Sequence, residues 1–322
     1  MPRSKTYRRK RKTTNKRKTT NKRKTTNKRK TTNKRKTKKK RFNLKVEKCS
    51  PKGNSETLEY SCYTSEMLYK LKNIWNTKHP DIKISATNPR KIWEKLSELM
   101  KNTCNKESCW LKHKCLAEGM DKSIVNNVFA PLQPMEWKRK PTEWLSSIDI
   151  LKVMKQYENA YKCFEFIGPT PIDFDEYEYE NKCVWDELCK FDLLEEIRNN
   201  KTKIGIIFNL DTHDKGGSHW VSMFINIKKG EINFMDSYGD NPPKRITTLS
   251  NRIIGQAKKI GRTFVSNTVE MRHQYSNSEC GMYSLYFIIE QIKGRNWKYF
   301  NNIKIEDKKM KKLRKVYFNV NN

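Results

Sequence analysis

Four residues stand where their side chains could do covalent chemistry together: His219, Asp236, Gln274 and Cys280. A thiolate is a strong nucleophile towards a carbonyl carbon, an imidazole moves protons near neutral pH, and a carboxylate fixes the imidazole's tautomer. Cys280 is followed by Gly281 and an apolar run from Met282 to Ile289 that reads as a buried, central helix. Cys280 is therefore expected in a first helical turn, with Ser278 or Asn277 as cap, where unpaired N–H groups and the helix dipole favour a thiolate. Glu279 opposes this, so the helix end and His219 must outweigh it. Gly281 is expected to leave room for a substrate backbone. Gln274 lies six residues before Cys280 on the loop entering the same helix. Its amide can donate to an oxyanion together with the Cys280 N–H.

These residues need a scaffold that brings them together. Strands are expected over 204–210, 220–227 and 231–236, with a glycine-bearing loop over 211–217 and a tight turn at Lys228, Lys229 and Gly230. Pairing Ile227 with Glu231 sets Asp236 opposite Ser222. That leaves roughly 10 Å along the strand to His219 at about 3.3 Å per residue, less with a bulge or twist. Upstream, Thr142 is the expected cap of a helix whose apolar face is Trp144, Ile148, Leu151 and Met154. The segment 166–175 reads as extended or looped, because each proline pushes its predecessor out of helix. Downstream come a helix over 243–260, a short strand over 263–266 and an amphipathic helix over 307–317. Singly, each chemical residue has a plainer meaning. A lone cysteine is usually a small buried hydrophobe, a lone histidine is usually packing, and an aspartate ending a strand is usually a turn former. Nucleophile, base, orienter and oxyanion donor together point to acyl transfer.

The 322 residues carry a formal charge of +34, unevenly spread. Residues 1–41 hold 23 Lys and Arg and no acidic residue, whereas the remainder holds 46 basic and 35 acidic residues. KRKTTN repeats four times from Lys10 to Asn33 without an apolar residue, so the tail cannot bury a core and is expected to be disordered. Its expected partner is DNA or RNA, bound without sequence preference and with steep salt dependence. Residues 42–140 read as a helical N-terminal region, with one face marked by Leu68, Leu71, Ile74 and Trp75. A second face, after Pro89, is marked by Ile92, Trp93, Leu96, Leu99 and Met100. The stretch 131–141 is punctuated by proline and reads as a linker. Neither a secretory signal nor a membrane span is evident, and no membrane partner is expected. Nine cysteines is an odd number, and reduced thiols are the simplest expectation. Cys104, Cys109, His113 and Cys115 have zinc-ligand chemistry, but no CxxC pair is present, so packed thiols are expected there. No metal or cofactor is expected.

The chain resembles the SUMO-specific (ubiquitin-like-protein) proteases and the adenain-like viral proteases, on SHW at 218–220, FMDS at 234–237 and Q-x5-C-G from Gln274 to Gly281. EWLSSIDI at 143–150 is similar to the helix that opens that family's catalytic domain, and SCWL at 108–111 is similar to a segment in thiol proteases of large DNA viruses. The resemblance implies an α+β, papain-like cysteine protease fold with a small central antiparallel or mixed sheet flanked by helices, covering residues 141–322. It implies a catalytic triad of His219, Asp236 and Cys280 with Gln274 in the oxyanion hole. It also implies that Trp220 narrows a substrate channel, bordered by Gly281, that admits Gly-Gly-like residues. The family more often has Asp where Glu279 stands. The implied function is a thiol-dependent endopeptidase processing structural or core precursors of a virion, located in the virion and host cytoplasm, with the nucleus as alternative. Deubiquitinase- or deSUMOylase-like isopeptidase action is the neighbouring alternative. An acetyltransferase on the same triad and a nucleic-acid-binding virion protein with an inactive protease fold are the more distant ones.

Overall fold

Along the strand Trp220–Asn226 the side chains alternate as a two-sided sheet requires. Trp220 and Phe224 enter one core, and Val221, Met223 and Ile225 enter another. The computed structural model describes residues 44, 46–52, 56, 58–121, 127–179 and 182–320. The basic tail and its expected disorder lie outside the described residues. The chain divides into two units, Met1–Arg41 and Phe42–Asn322, and everything below concerns the second.

The central sheet has five strands: β1 (Phe164–Pro171), β2 (Lys203–Asn209), β3 (Trp220–Asn226), β4 (Glu231–Met235) and β5 (Val265–Val269), in spatial order β1-β2-β3-β4-β5. The outer pairs are parallel and the two inner pairs antiparallel, so the sheet is mixed and the fold α+β, as expected. Asn226 pairs with Glu231 and Ser222 with Met235. The ribbon is therefore one residue out of the predicted register, because the reversal spans Ile227 to Gly230 rather than three residues. Gly230 closes it at φ 66°, where a Cβ would lie 2.2 Å from the Thr263 carbonyl oxygen, so only glycine fits. β5 lies two residues beyond the start of the predicted strand.

Helix α1 (Ser65–Lys78) is capped by Thr64, and α2 (Pro89–Met100) by Asn88 with proline in its first turn. Leu68, Leu71, Trp75, Ile92, Leu96 and Met100 of these helices share a core. A buried carboxylate, Glu107, accepts from the Ser61 hydroxyl, the Trp93 indole N–H and the Cys62 N–H there. The cysteines depart from expectation. Cys49–Cys62, Cys104–Cys109 and Cys183–Cys189 are disulfide-bonded, with Cα–Cα separations of 5.1, 5.5 and 6.3 Å, so these six are not reduced thiols. Cys104 and Cys109 bond to each other rather than to a metal. Spacing alone could not reveal this pairing.

The stretch 131–141 is not a free linker. Gln133 donates its N–H to the Asn319 carbonyl, and Trp137 packs edge-on against Phe318 at 5.1 Å. Asn319 also bonds Lys48 and Ala130, stitching the N-terminal region to the segment that follows the last helix. Helix α3 (Ser147–Ala160) is capped by Ser146, four residues after the predicted cap. Ser146 and Asp149 form a reciprocal capping box, which outcompetes Thr142. The buried stripe is Ile150, Val153, Met154 and Tyr157, and Trp144, Ile148 and Leu151 are left exposed. Helix α4 (Lys244–Lys259) covers one sheet face through Ile246, Leu249, Ile253 and Ala257. Helix α5 (Cys280–Ile292) runs through the core on the other face and is buried almost all round. Helix α6 (Asp307–Tyr317) packs against it. Among the described residues, no helix is long and apolar enough to cross a membrane.

Candidate active site

The ribbon β3–β4 does what the spacing requires. His219 immediately precedes β3, and its carbonyl accepts the Leu210 N–H at 2.9 Å, which extends the β2–β3 ladder by one bond. Asp236 immediately follows β4. The two side chains meet at the open end of the ribbon, with His219 Nε2 2.7 Å from Asp236 Oδ1. The same carboxylate oxygen accepts the Tyr238 N–H at 2.8 Å. The Tyr238 ring stacks on the imidazole with centroids 4.8 Å apart, so the ring is held on its edge and on one face.

Cys280 is the first residue of α5 and is 2% exposed. Nε2 of His219 is occupied by Asp236, which leaves Nδ1 as the ring nitrogen free to exchange a proton with a thiol. Burial pulls the His219 pKa down, but the hydrogen bonds to Asp236 and Cys280, with their charge, outweigh it and raise the pKa to about 9. The cap of α5 is Glu279, with no side-chain capping bond. The expected Ser278 or Asn277 cap is absent, because the chain enters the helix with Glu279 at φ −108°, ψ 2° rather than the extended backbone of a capping serine.

Glu279 does not stand as a naked charge. It is fully buried, and its Oε2 accepts from Nε of Arg314 at 2.9 Å. Gln274 is also fully buried. Its Oε1 accepts from the Ser237 hydroxyl at 2.7 Å, and its Nε2 donates to the Ser276 carbonyl at 2.6 Å and the Tyr238 hydroxyl at 3.3 Å. A Cβ on Gly281 would lie 3.2 Å from Leu145 Cβ and 3.3 Å from Trp220 Cδ1. The room left by this glycine is filled by those two side chains, which corrects the expectation that it opens the channel. Trp220 is itself fixed by its indole N–H to the Leu145 carbonyl at 3.1 Å.

Beside this cluster runs a cavity of about 490 Å³, lined by Trp144, Pro169, Thr170, His213, Gly217 and Trp220 among others. His213 is held at Nδ1 by buried Asp173 at 2.7 Å, and its backbone N–H donates to the same carboxylate at 3.0 Å. That hydrogen bond raises the His213 pKa against the opposing effect of desolvation.

A profile of the Ulp1 protease family, C-terminal catalytic domain, matches residues 150–321. A thiol protease of Acanthamoeba polyphaga mimivirus is 31% identical over 216 residues, covering 67% of this chain and 70% of that one. The SUMO-1 cysteine protease of African swine fever virus is 25% identical over 251 residues, covering 72% of this chain and 90% of that one. The chain belongs to the Ulp1 protease family. It is a cysteine protease, a hydrolase with protein substrates. A crystal structure of the African swine fever virus protease superposes with TM-score 0.61 at 21% identity, covering 85% of this chain and 96% of that one, and so shares its fold.

In this protease the structure brings together all the residues singled out from the sequence: His219, Trp220, Asp236, Gln274, Cys280 and Gly281. Three that touch this cluster were missed. Trp144 was assigned to a helix face but lines the groove. Tyr238 stacks on His219 through a contact that no local pattern encodes. Arg314 did leave a signal, since it lies in register with Met310 and Tyr317 on the buried stripe of α6. A charge at a core position needs a partner.

Proposed function

We propose that this protease is an endopeptidase in which Cys280 is the nucleophile, His219 the general acid and base, Asp236 its orienter and Gln274 an oxyanion donor. The observation that carries this is the His219–Asp236 bond of 2.7 Å together with a cysteine that opens a buried helix and acts on the same imidazole. The thiolate attacks the peptide carbonyl, and the tetrahedral oxyanion takes hydrogen bonds from the Cys280 N–H and from the Gln274 amide, which gives up its longer bond to Tyr238. The imidazolium protonates the leaving amine as the C–N bond breaks. Water, deprotonated by His219, then hydrolyses the thioester.

The cavity that Trp220 and Trp144 both line, taken with the resemblance in which the tryptophan after the histidine narrows the substrate channel, supports small residues such as Gly-Gly on the acyl side. Structural or core precursor proteins of a virion are the first substrate class, supported by the two viral relatives. Location in the virion and host cytoplasm follows from that class. Ubiquitin-like conjugates are the second, supported by the SUMO-1 protease name of the African swine fever virus relative. Wild type and Cys280→Ala, each incubated with a lysate of virion proteins and with SUMO conjugates, test the reading by mass spectrometry of new N-termini. New termini after Gly-Gly-like sites in virion proteins with wild type alone support it. Release of SUMO without precursor cleavage would move the assignment to the second class, and identical termini in both samples would overturn it.

A further inference from the structure

The helix α6 presents two charged residues to the active site from one face. Asp307 and Arg314 lie two turns apart, roughly 10 Å along the axis at 1.5 Å per residue. Asp307 Oδ2 accepts the N–H groups of Tyr275 and Ser276 at 3.1 and 2.9 Å. Ser276 is the residue whose carbonyl receives the Gln274 amide. The Tyr283 hydroxyl, three residues after Cys280 on α5, shares its one proton between the Ile305 carbonyl at 2.8 Å, Asp307 Oδ1 at 3.0 Å and the His273 carbonyl at 3.2 Å. One carboxylate thus ties the loop of the oxyanion donor to the helix of the nucleophile.

Arg314 works at the other end. It is 4% exposed. Besides Glu279 it donates to the Ser278 carbonyl at 3.0 Å and the Glu143 carbonyl at 2.7 Å, and its guanidinium lies 4.3 Å from the centroid of the Trp137 ring. Its fork therefore holds the two residues that directly precede Cys280, and it cancels the Glu279 charge that would otherwise sit unscreened beside the thiolate. Without Arg314, a buried carboxylate next to Cys280 would disfavour a second negative charge. The other ionisable groups facing Cys280 are His219 and Tyr238.

We infer that Asp307 and Arg314 are positioning residues that divide the site between them: Asp307 sets the oxyanion donor Gln274, and Arg314 sets and electrostatically releases the nucleophile Cys280. This rests on the triad proposed above. The division separates the inference from a purely structural role for the helix, because the two residues must fail differently.

The test measures peptide cleavage and, separately, the pH dependence of Cys280 alkylation by iodoacetamide, for Asp307→Asn, Arg314→Met, Arg314→Met with Glu279→Gln, and Arg314→Lys. Asp307→Asn should lower kcat by about 10- to 100-fold, on the scale of a misplaced oxyanion donor, with KM and the alkylation profile unchanged. Arg314→Met should move the alkylation profile to higher pH, and the added Glu279→Gln should move it back. Arg314→Lys, which keeps the charge and loses the fork, should lower kcat with little change in the profile. If Arg314→Met does not fold, the Asp307→Asn and Arg314→Lys contrast carries the test. Equal loss of cleavage and alkylation in all variants, tracking thermal stability, would overturn the division, as would unchanged kcat in folded Asp307→Asn and Arg314→Lys. Failure of the triad itself would show differently, as wild-type cleavage insensitive to Cys280→Ala.

Discussion

Two histidine–aspartate pairs take their histidines from the same connection between β2 and β3, each with a nitrogen–oxygen distance of 2.7 Å. They differ in everything else. The His219 side chain is 13% exposed, stacks on Tyr238 and feels Cys280, whereas the His213 side chain is 45% exposed and its charged neighbours are carboxylates. Both pairs raise the imidazole pKa, so neither the distance nor the shift marks the nucleophilic site. The third partner and the exclusion of water do. A third histidine sharpens the point. His273 is fully buried with no carboxylate on its ring, and burial lowers its pKa to about 4. Burial alone keeps an imidazole neutral; burial with Asp236 and Cys280 keeps one charged.

The largest expected effect separates the two pairs outright. Cys280→Ala and His219→Ala should each lower kcat/KM by more than about 10⁴-fold, while His213→Ala should not approach this in the same peptide assay. Next, Asp236→Asn should lower kcat by roughly 10³- to 10⁴-fold, since the amide favours the wrong tautomer, whereas Asp173→Asn should leave kcat nearly intact. A large kcat loss in Asp173→Asn would erase the distinction between the pairs.

The pH dependence follows from the same contrast. The His219 pKa is raised to about 9, above the ordinary imidazole value near 6.5. Its contribution to folding stability is complete below about pH 6.5 and is lost as pH rises through about 9. The acid required by the leaving amine disappears over the same alkaline range, so kcat/KM should fall near pH 9. NMR titration of His219 should show a lower pKa in Cys280→Ala, because one hydrogen bond and one charge are gone. His273 has the opposite sign. Its folded pKa lies below the unfolded one, so stability is lost as pH falls from about 6.5 towards 4, by roughly 3 kcal/mol. Replacing His273 with a neutral isostere such as Gln should flatten that acid limb in urea titrations. The smallest effect is at the groove. His213→Ala should raise KM about three- to tenfold with kcat unchanged, the scale of one lost substrate hydrogen bond.

Much of this was legible, for reasons that can be named. The apolar run after Cys280 marked a buried helix and therefore a protected helix start. The strands around the turn at Gly230 brought His219 and Asp236 to one end despite a register error of one residue, because a slip along a ribbon moves both ends little. The period of α6 was clear from Met310 and Tyr317. What escaped depends on side-chain partners that spacing does not name. Glu279 and Arg314 are 35 residues apart, and the pairing of Cys104 with Cys109 rather than with a metal has no one-dimensional signal. Thr142 is an acceptable cap by residue type, but the reciprocal bonds between Ser146 and Asp149 put the cap at Ser146.

The central claim is that Cys280 is activated by His219 rather than merely buried beside it. Alkylation by iodoacetamide at neutral pH, followed by peptide mass spectrometry, tests it most directly with half-buried Cys163 as an internal control. The account predicts that Cys280 reacts faster than Cys163 although it is the more buried, and that His219→Ala abolishes this advantage. Slower modification of Cys280 than of Cys163, or an advantage that survives His219→Ala, would contradict it.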